Sequence, residues 1–138
     1  MSKEYHLFIS HSWSYGDAYD RLEEMLKEHP YFRYKDHSVP KHDPIHNAPT
    51  SHALYIAIKN QIAGCNIIII MAGKYATFSE WINKEIKISK TEFSFPKPIL
   101  AVKPWGATQI SSVVRKNADL EVGWNSNAIV NGIRQIAF

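Results

Sequence analysis

Glu85 is the residue whose placement in this sequence most invites a chemical explanation. Set on a helical wheel at ~100° per residue, Phe78, Trp81, Ile82, Ile86 and Ile88 fill one arc. Glu80, Asn83, Lys84, Lys87 and Lys90 fill the other. Glu85 falls near the middle of the apolar arc, one turn below Trp81. An ionised carboxylate in that position is partly desolvated and calls for a partner. It either snorkels out to pair with a base, or it points into a cleft beside an aromatic wall with its proton affinity raised.

Other side chains could complete such a cleft. Ser10, His11 and Ser12 follow a short apolar strand, where hydroxyls and backbone N–H groups meet a phosphate or ribose, or simply shape a turn. Trp81 offers a stacking surface for a base, or a core filler. Asp36 either faces the cleft or opens a turn. His37, His42, His46 and His52 raise a zinc reading. Pro44, however, removes the helix that would aim His42 and His46 at one ion, and the lone Cys65 is distant in sequence. No metal site is expected. Lys84, Lys87 and Lys90 share a face and read as solvated.

The elements that must position these residues alternate between strand and helix. His6 to Ser10 predicts a first strand, and a helix from about Asp17 carries Ala18, Leu22, Met25 and Leu26 on one face. Tyr31 to Lys35 predicts an aromatic second strand. The polar stretch from Asp36 to Ser51 holds Pro40, Pro44 and Pro49, which break regular structure, so it is a long loop of the functional or mobile kind. A helix capped by Thr50 or Ser51 then runs to Gly64.

Asn66 to Met71 contains four consecutive isoleucines and no alternation, the pattern of a strand covered on both faces. Thr77 to Glu80 reads as a capping box for the Glu85 helix. Pro98 to Val102 and Leu120 to Val122 are the fourth and fifth strands, with a short helix possible between Thr108 and Asn117. Asn125 or Ser126 caps a last helix carrying Ile129, Val130, Ile133 and Ile136. The expectation is an α/β fold: a flavodoxin-like, doubly wound, five-stranded parallel sheet with helices on both faces. Ligands of such sheets lie beyond the carboxyl ends of the strands, where strand order reverses. That places the working loops at Ser10 to Ser14, Asp36 to Ser51 and Ala72 to Phe78.

Composition narrows the function classes. With 138 residues, 45% apolar and 21% charged, the chain is expected to form one globular domain over residues 1–138. The formal charge is +3, but its 16 basic residues are scattered, with no basic stripe for nucleic acid. A single cysteine excludes an internal disulfide. Neither a signal peptide nor a stretch approaching ~20 apolar residues is present, so a cytoplasmic location without membrane contact is expected.

Four short motifs carry a resemblance. Phe8-Ile9-Ser10-His11-Ser12 resembles the opening motif of TIR domains, and Trp81-Ile82-Asn83-Lys84-Glu85 resembles their Trp-x-x-x-Glu helix. Lys103-Pro104-Trp105-Gly106 with Val122-Gly123-Trp124-Asn125 is similar to the bacterial TIR-like branch, including the stand-alone TIR proteins of Thoeris anti-phage systems. The loop after the second strand lacks the Arg-Asp and Pro-Gly pattern of receptor TIR domains, so receptor-style signalling is not implied. What the resemblance implies is cleavage of the nicotinamide–ribose bond of NAD+ by catalytic Glu85. Ser10, His11, Ser12, Asp36 and Trp81 then become substrate-binding candidates. NAD+ would be substrate, with no cofactor. The product would be a cyclic ADP-ribose-type signal reaching a separate effector, with homotypic TIR assembly or a phage-derived trigger as further partners.

Rival readings are a TIR-like scaffold without chemistry, a flavin-binding protein, and a nucleoside N-glycosidase of similar fold. A phospho-receiver is set aside, because Met71-Ala72-Gly73-Lys74 lacks the phosphoacceptor aspartate.

Overall fold

The computed structural model describes residues 4–10, 18–37, 51–72, 80–103 and 111–137. Strands and helices alternate along the chain: β1 (Glu4–Ser10), α1 (Ala18–Glu28), β2 (Arg33–Asp36), α2 (Ser51–Ala63) and β3 (Ile67–Met71). They continue as α3 (Glu80–Thr91), β4 (Ile99–Val102), α4 (Ser112–Asn117), β5 (Leu120–Val122) and α5 (Ser126–Ile136). The five strands form one sheet in the order β2-β1-β3-β4-β5, every pair parallel. This is the doubly wound α/β architecture expected from the isoleucine run. Every residue of β3 is buried, because α/β crossovers cover both of its faces.

Alternation along the strands divides the interior into two layers. Leu7, Ile9, Ile67, Ile69, Met71, Leu100 and Val102 pack beneath Leu22 and Leu26 of α1 and Ile129, Val130 and Ile133 of α5. Phe8, Ile68, Ile70, Ile99 and Ala101 face Ile58 and Ile62 of α2, Ile82, Ile86 and Ile88 of α3, and Val114 of α4. Gly132 allows α5 its close seat on the sheet, since a Cβ there would stand 3.1 Å from Leu100 Cδ1. No helix among the described residues is long and apolar enough to cross a membrane.

Polar braces hold the helices in place. The Asn125 side chain accepts from the Ala128 N–H and caps α5, as its sequence position suggested. Ser111 caps α4 by accepting from the Val114 N–H. Lys97 Nζ donates to the carbonyls of Ala63 (3.1 Å) and Cys65 (2.8 Å), satisfying oxygens left open at the C-terminus of α2. Asp119 Oδ2 receives both Lys90 Nζ (2.6 Å) and the Ile99 N–H (2.8 Å), tying α3 to the start of β4.

Two strands start away from their expected positions, the first beginning at Glu4 rather than at His6. The second strand begins at Arg33, not at Tyr31. Tyr31 has φ 62 and is 87% exposed, so the chain turns there through the left-handed region before extending. Phe32 and Tyr34 remain a stacked aromatic pair, with centroids 5.7 Å apart.

Candidate functional site

Because all five strands are parallel, their carboxyl ends lie along one edge of the sheet. The chain leaves β1 toward β2 on one side and returns as β3 on the other, so strand order reverses between β1 and β3. That crevice is where doubly wound folds bind ligands. Ser10 is the last residue of β1 and pairs in register with Ile70 of β3, which puts it at the switch point. By alternation with Leu7 and Ile9, its side chain belongs to the layer of α2 and α3.

Glu85 meets it there. The Ser10 hydroxyl donates to Glu85 Oε2, and both residues are only 1% exposed. The wheel had placed Glu85 among apolar neighbours, and the fold does bury it in that arc with Ile82, Ile86 and Ile88. One turn onward, Ser89 is fully buried, and its Oγ donates to the Glu85 carbonyl oxygen at 2.7 Å. The far end of α3 is held separately. Tyr55 of α2 donates to the Glu92 carboxylate, and Lys59 Nζ lies 3.6 Å from it. The Tyr55 hydrogen bond, with Lys59 adding to it, keeps the Glu92 carboxyl below its ordinary range. Helix α3 is therefore fixed both at the sheet and against its neighbour.

Asp36 does not join this pair. Its register partner is Leu7, whose side chain belongs to the opposite layer with α1 and α5. There Asp36 lines an open cavity of about 490 Å³ with Glu23, Lys27, Phe32 and Tyr34. Burial, reinforced by the negative charges of Glu23 and Asp36, pushes the Tyr34 phenol up to about 12. The cavity and the Ser10–Glu85 pair thus lie on different faces of the sheet. His11, Ser12 and most of the histidine- and proline-rich loop fall outside the described residues, as does the Trp81 side chain, although its backbone belongs to α3.

Two features were missed by the sequence reading. Ser10 was expected as a substrate-binding candidate, and its hydrogen bond to Glu85 was not foreseen. Ser89 had no role, although its spacing of four residues from Glu85 was visible.

The five-stranded, all-parallel, doubly wound sheet is a flavodoxin-like α/β architecture, consistent with a TIR-like domain. The comparison with known families agrees with that class. Residues 8–109, about three-quarters of the chain, match the family model described as Thoeris protein ThsB, TIR-like domain, and the chain belongs to that family. None of the curated proteins matches the chain significantly.

Proposed function

We propose that this protein cleaves the nicotinamide–ribose bond of NAD+ and converts the ADP-ribose portion into a cyclic signal that acts on a separate effector in anti-phage defence. The observation that carries the reading is the buried Ser10–Glu85 pair at the carboxyl edge of the sheet. Membership of the Thoeris TIR-like family supports it.

The chemistry asks little of the protein. Nicotinamide departs from a cationic pyridinium as a neutral molecule, so no general acid is needed, unlike ordinary glycosides with their two carboxylates. One fixed carboxylate suffices to stabilise the positive charge developing at the anomeric carbon and to hold the ribose hydroxyls. Glu85 has that role. Ser10 is its positioning residue, since its hydroxyl bonds the carboxylate and fixes its orientation before substrate arrives. Attack by a hydroxyl of the same molecule gives a cyclic product, and attack by water gives ADP-ribose.

The test is mass spectrometry of NAD+-derived products from wild type and Glu85→Gln, both purified and in phage-challenged cells. A product at the mass of cyclic ADP-ribose, reduced at least ~100-fold in a folded Glu85→Gln protein, is expected. Free ADP-ribose alone would replace the cyclase with a hydrolase. No product from folded wild type under either condition would overturn the enzymatic reading in favour of a scaffold.

A further inference from the structure

A second convergence of chemically capable side chains lies on the β2 side of β1. His6 Nδ1 and His37 Nε2 stand 2.9 Å apart, with ring centroids at 5.1 Å and planes tilted by 35°. Both residues are half-buried. Their main chains are pinned independently of the rings. His6 N–H donates to Asn66 Oδ1 at 2.8 Å, and its carbonyl accepts the Asn66 N–H at 2.7 Å. His37 N–H donates to the Leu7 carbonyl at 2.8 Å. The two rings therefore face each other on a fixed backbone frame, with the facing nitrogens aimed nearly at one another.

Facing nitrogens at this distance share one proton. Each neutral imidazole can carry its proton on either nitrogen, so both facing nitrogens can present lone pairs together, with the protons on His6 Nε2 and His37 Nδ1. Once the two rings turn so that both lone pairs meet one ion, with the nitrogens still 2.9 Å apart, an ion about 2.05 Å from each subtends about 90° between them. That angle belongs to square-planar or octahedral coordination, the preference of Cu2+ and Ni2+. Tetrahedral Zn2+ would instead need the nitrogens about 3.3 Å apart, farther than they stand. Mg2+ and Ca2+ prefer oxygen and are not expected here.

We propose that His6 and His37 form a two-imidazole binding site for a divalent late transition-metal ion, Cu2+ or Ni2+, with water completing the coordination. Among the described residues, no group of three ligating side chains converges, so the affinity is modest and open positions remain for exchange. Lys35 is exposed and is the register partner of His6 on the same face. Its charge opposes a bound cation, and Lys35→Gln strengthens binding. This is not the pair that the sequence had raised and set aside. His42 and His46 are near in sequence, whereas His6 and His37 are 31 residues apart and meet only because β1 and β2 pair.

The experiment titrates tag-free, full-length protein with NiCl2 or CuCl2. Calorimetry gives stoichiometry, and the imidazole resonances of 15N-histidine-labelled wild type locate the ion without any substitution. The expected result is one equivalent bound, with His6 and His37 signals broadening before those of His29 and His52. Affinity is expected to fall about tenfold or more in His6→Gln and in His37→Gln, each verified as folded by circular dichroism. Broadening that begins on other histidines, or binding unchanged in both variants, would overturn the site.

Discussion

Removing the Ser10 hydroxyl is the perturbation that most directly examines the site. Ser10→Ala deletes one oxygen at a position 1% exposed, leaving Glu85 Oε2 without that donor in surroundings equally closed to water. Removing one partner of a buried hydrogen bond costs about 1–3 kcal/mol, and loss of the donor at this depth should cost about 2 kcal/mol of folding stability. For a domain of this length that is a fall in Tm of roughly 7 °C. Ser10→Thr keeps the hydroxyl but adds a methyl group to a filled site, and should cost about 1 kcal/mol through crowding. Urea denaturation followed by circular dichroism measures both. A double-mutant cycle with Glu85→Gln isolates the pair, because Gln retains an acceptor but not the charge. Its coupling should exceed about 1 kcal/mol, whereas independent sites add within about 0.5 kcal/mol. If the single-variant losses add, Ser10 does not support Glu85 and the positioning argument fails. If NAD+ cleavage follows the proposal, Ser10→Ala should also lower kcat more than KM.

Two further outcomes follow from buried groups outside the site. The Tyr34 hydroxyl is buried without a hydrogen-bond partner, so Tyr34→Phe should leave stability unchanged or raise it by about 1 kcal/mol in a thermal melt. Its folded value of about 12 lies above the ordinary 10.0, so its stabilising effect is complete below pH 10 and is lost as pH rises toward 12. The Tyr34→Phe melting curve should lack that alkaline component. For Cys65, burial pushes the thiol up to about 12 from 9.0. At pH 9 about a thousandth is then thiolate, against half for an unshifted thiol, and alkylation should be at least ~100-fold slower in folded protein than in urea. Equal rates in the two conditions would contradict its burial.

The parts of this fold that were legible in sequence are those set by local pattern. The unbroken isoleucines of β3 announced a strand covered on both faces, and that strand fixed the parallel sheet. Glu85 was legible because one residue contradicted its helical arc, a contradiction that survives in the structure as 1% exposure. What was not legible depends on pairing over distance. Ser10 meets Glu85 across 75 residues, and neither residue names the other in sequence. Asp36 illustrates the same limit on a shorter scale. It was expected just after the second strand but is the last residue of β2, and the face it takes is decided by the register of β2 on β1, which places it with α1. The start of β2 was misread because aromatic residues favour strands, while Tyr31 is spent on the turn that redirects the chain.

The separation between Ser10 and Glu85 also sets a clock. Synthesis proceeds at about 5–20 residues per second, so a ribosome that has made Ser10 works for roughly 4–15 seconds more before Glu85 exists. Even then α3 must dock on a sheet whose β4 neighbour has not yet been translated. A nascent chain is therefore inert by topology. The chemistry proposed for this pair is therefore closed to the chain throughout that part of its own manufacture, with no inhibitor required.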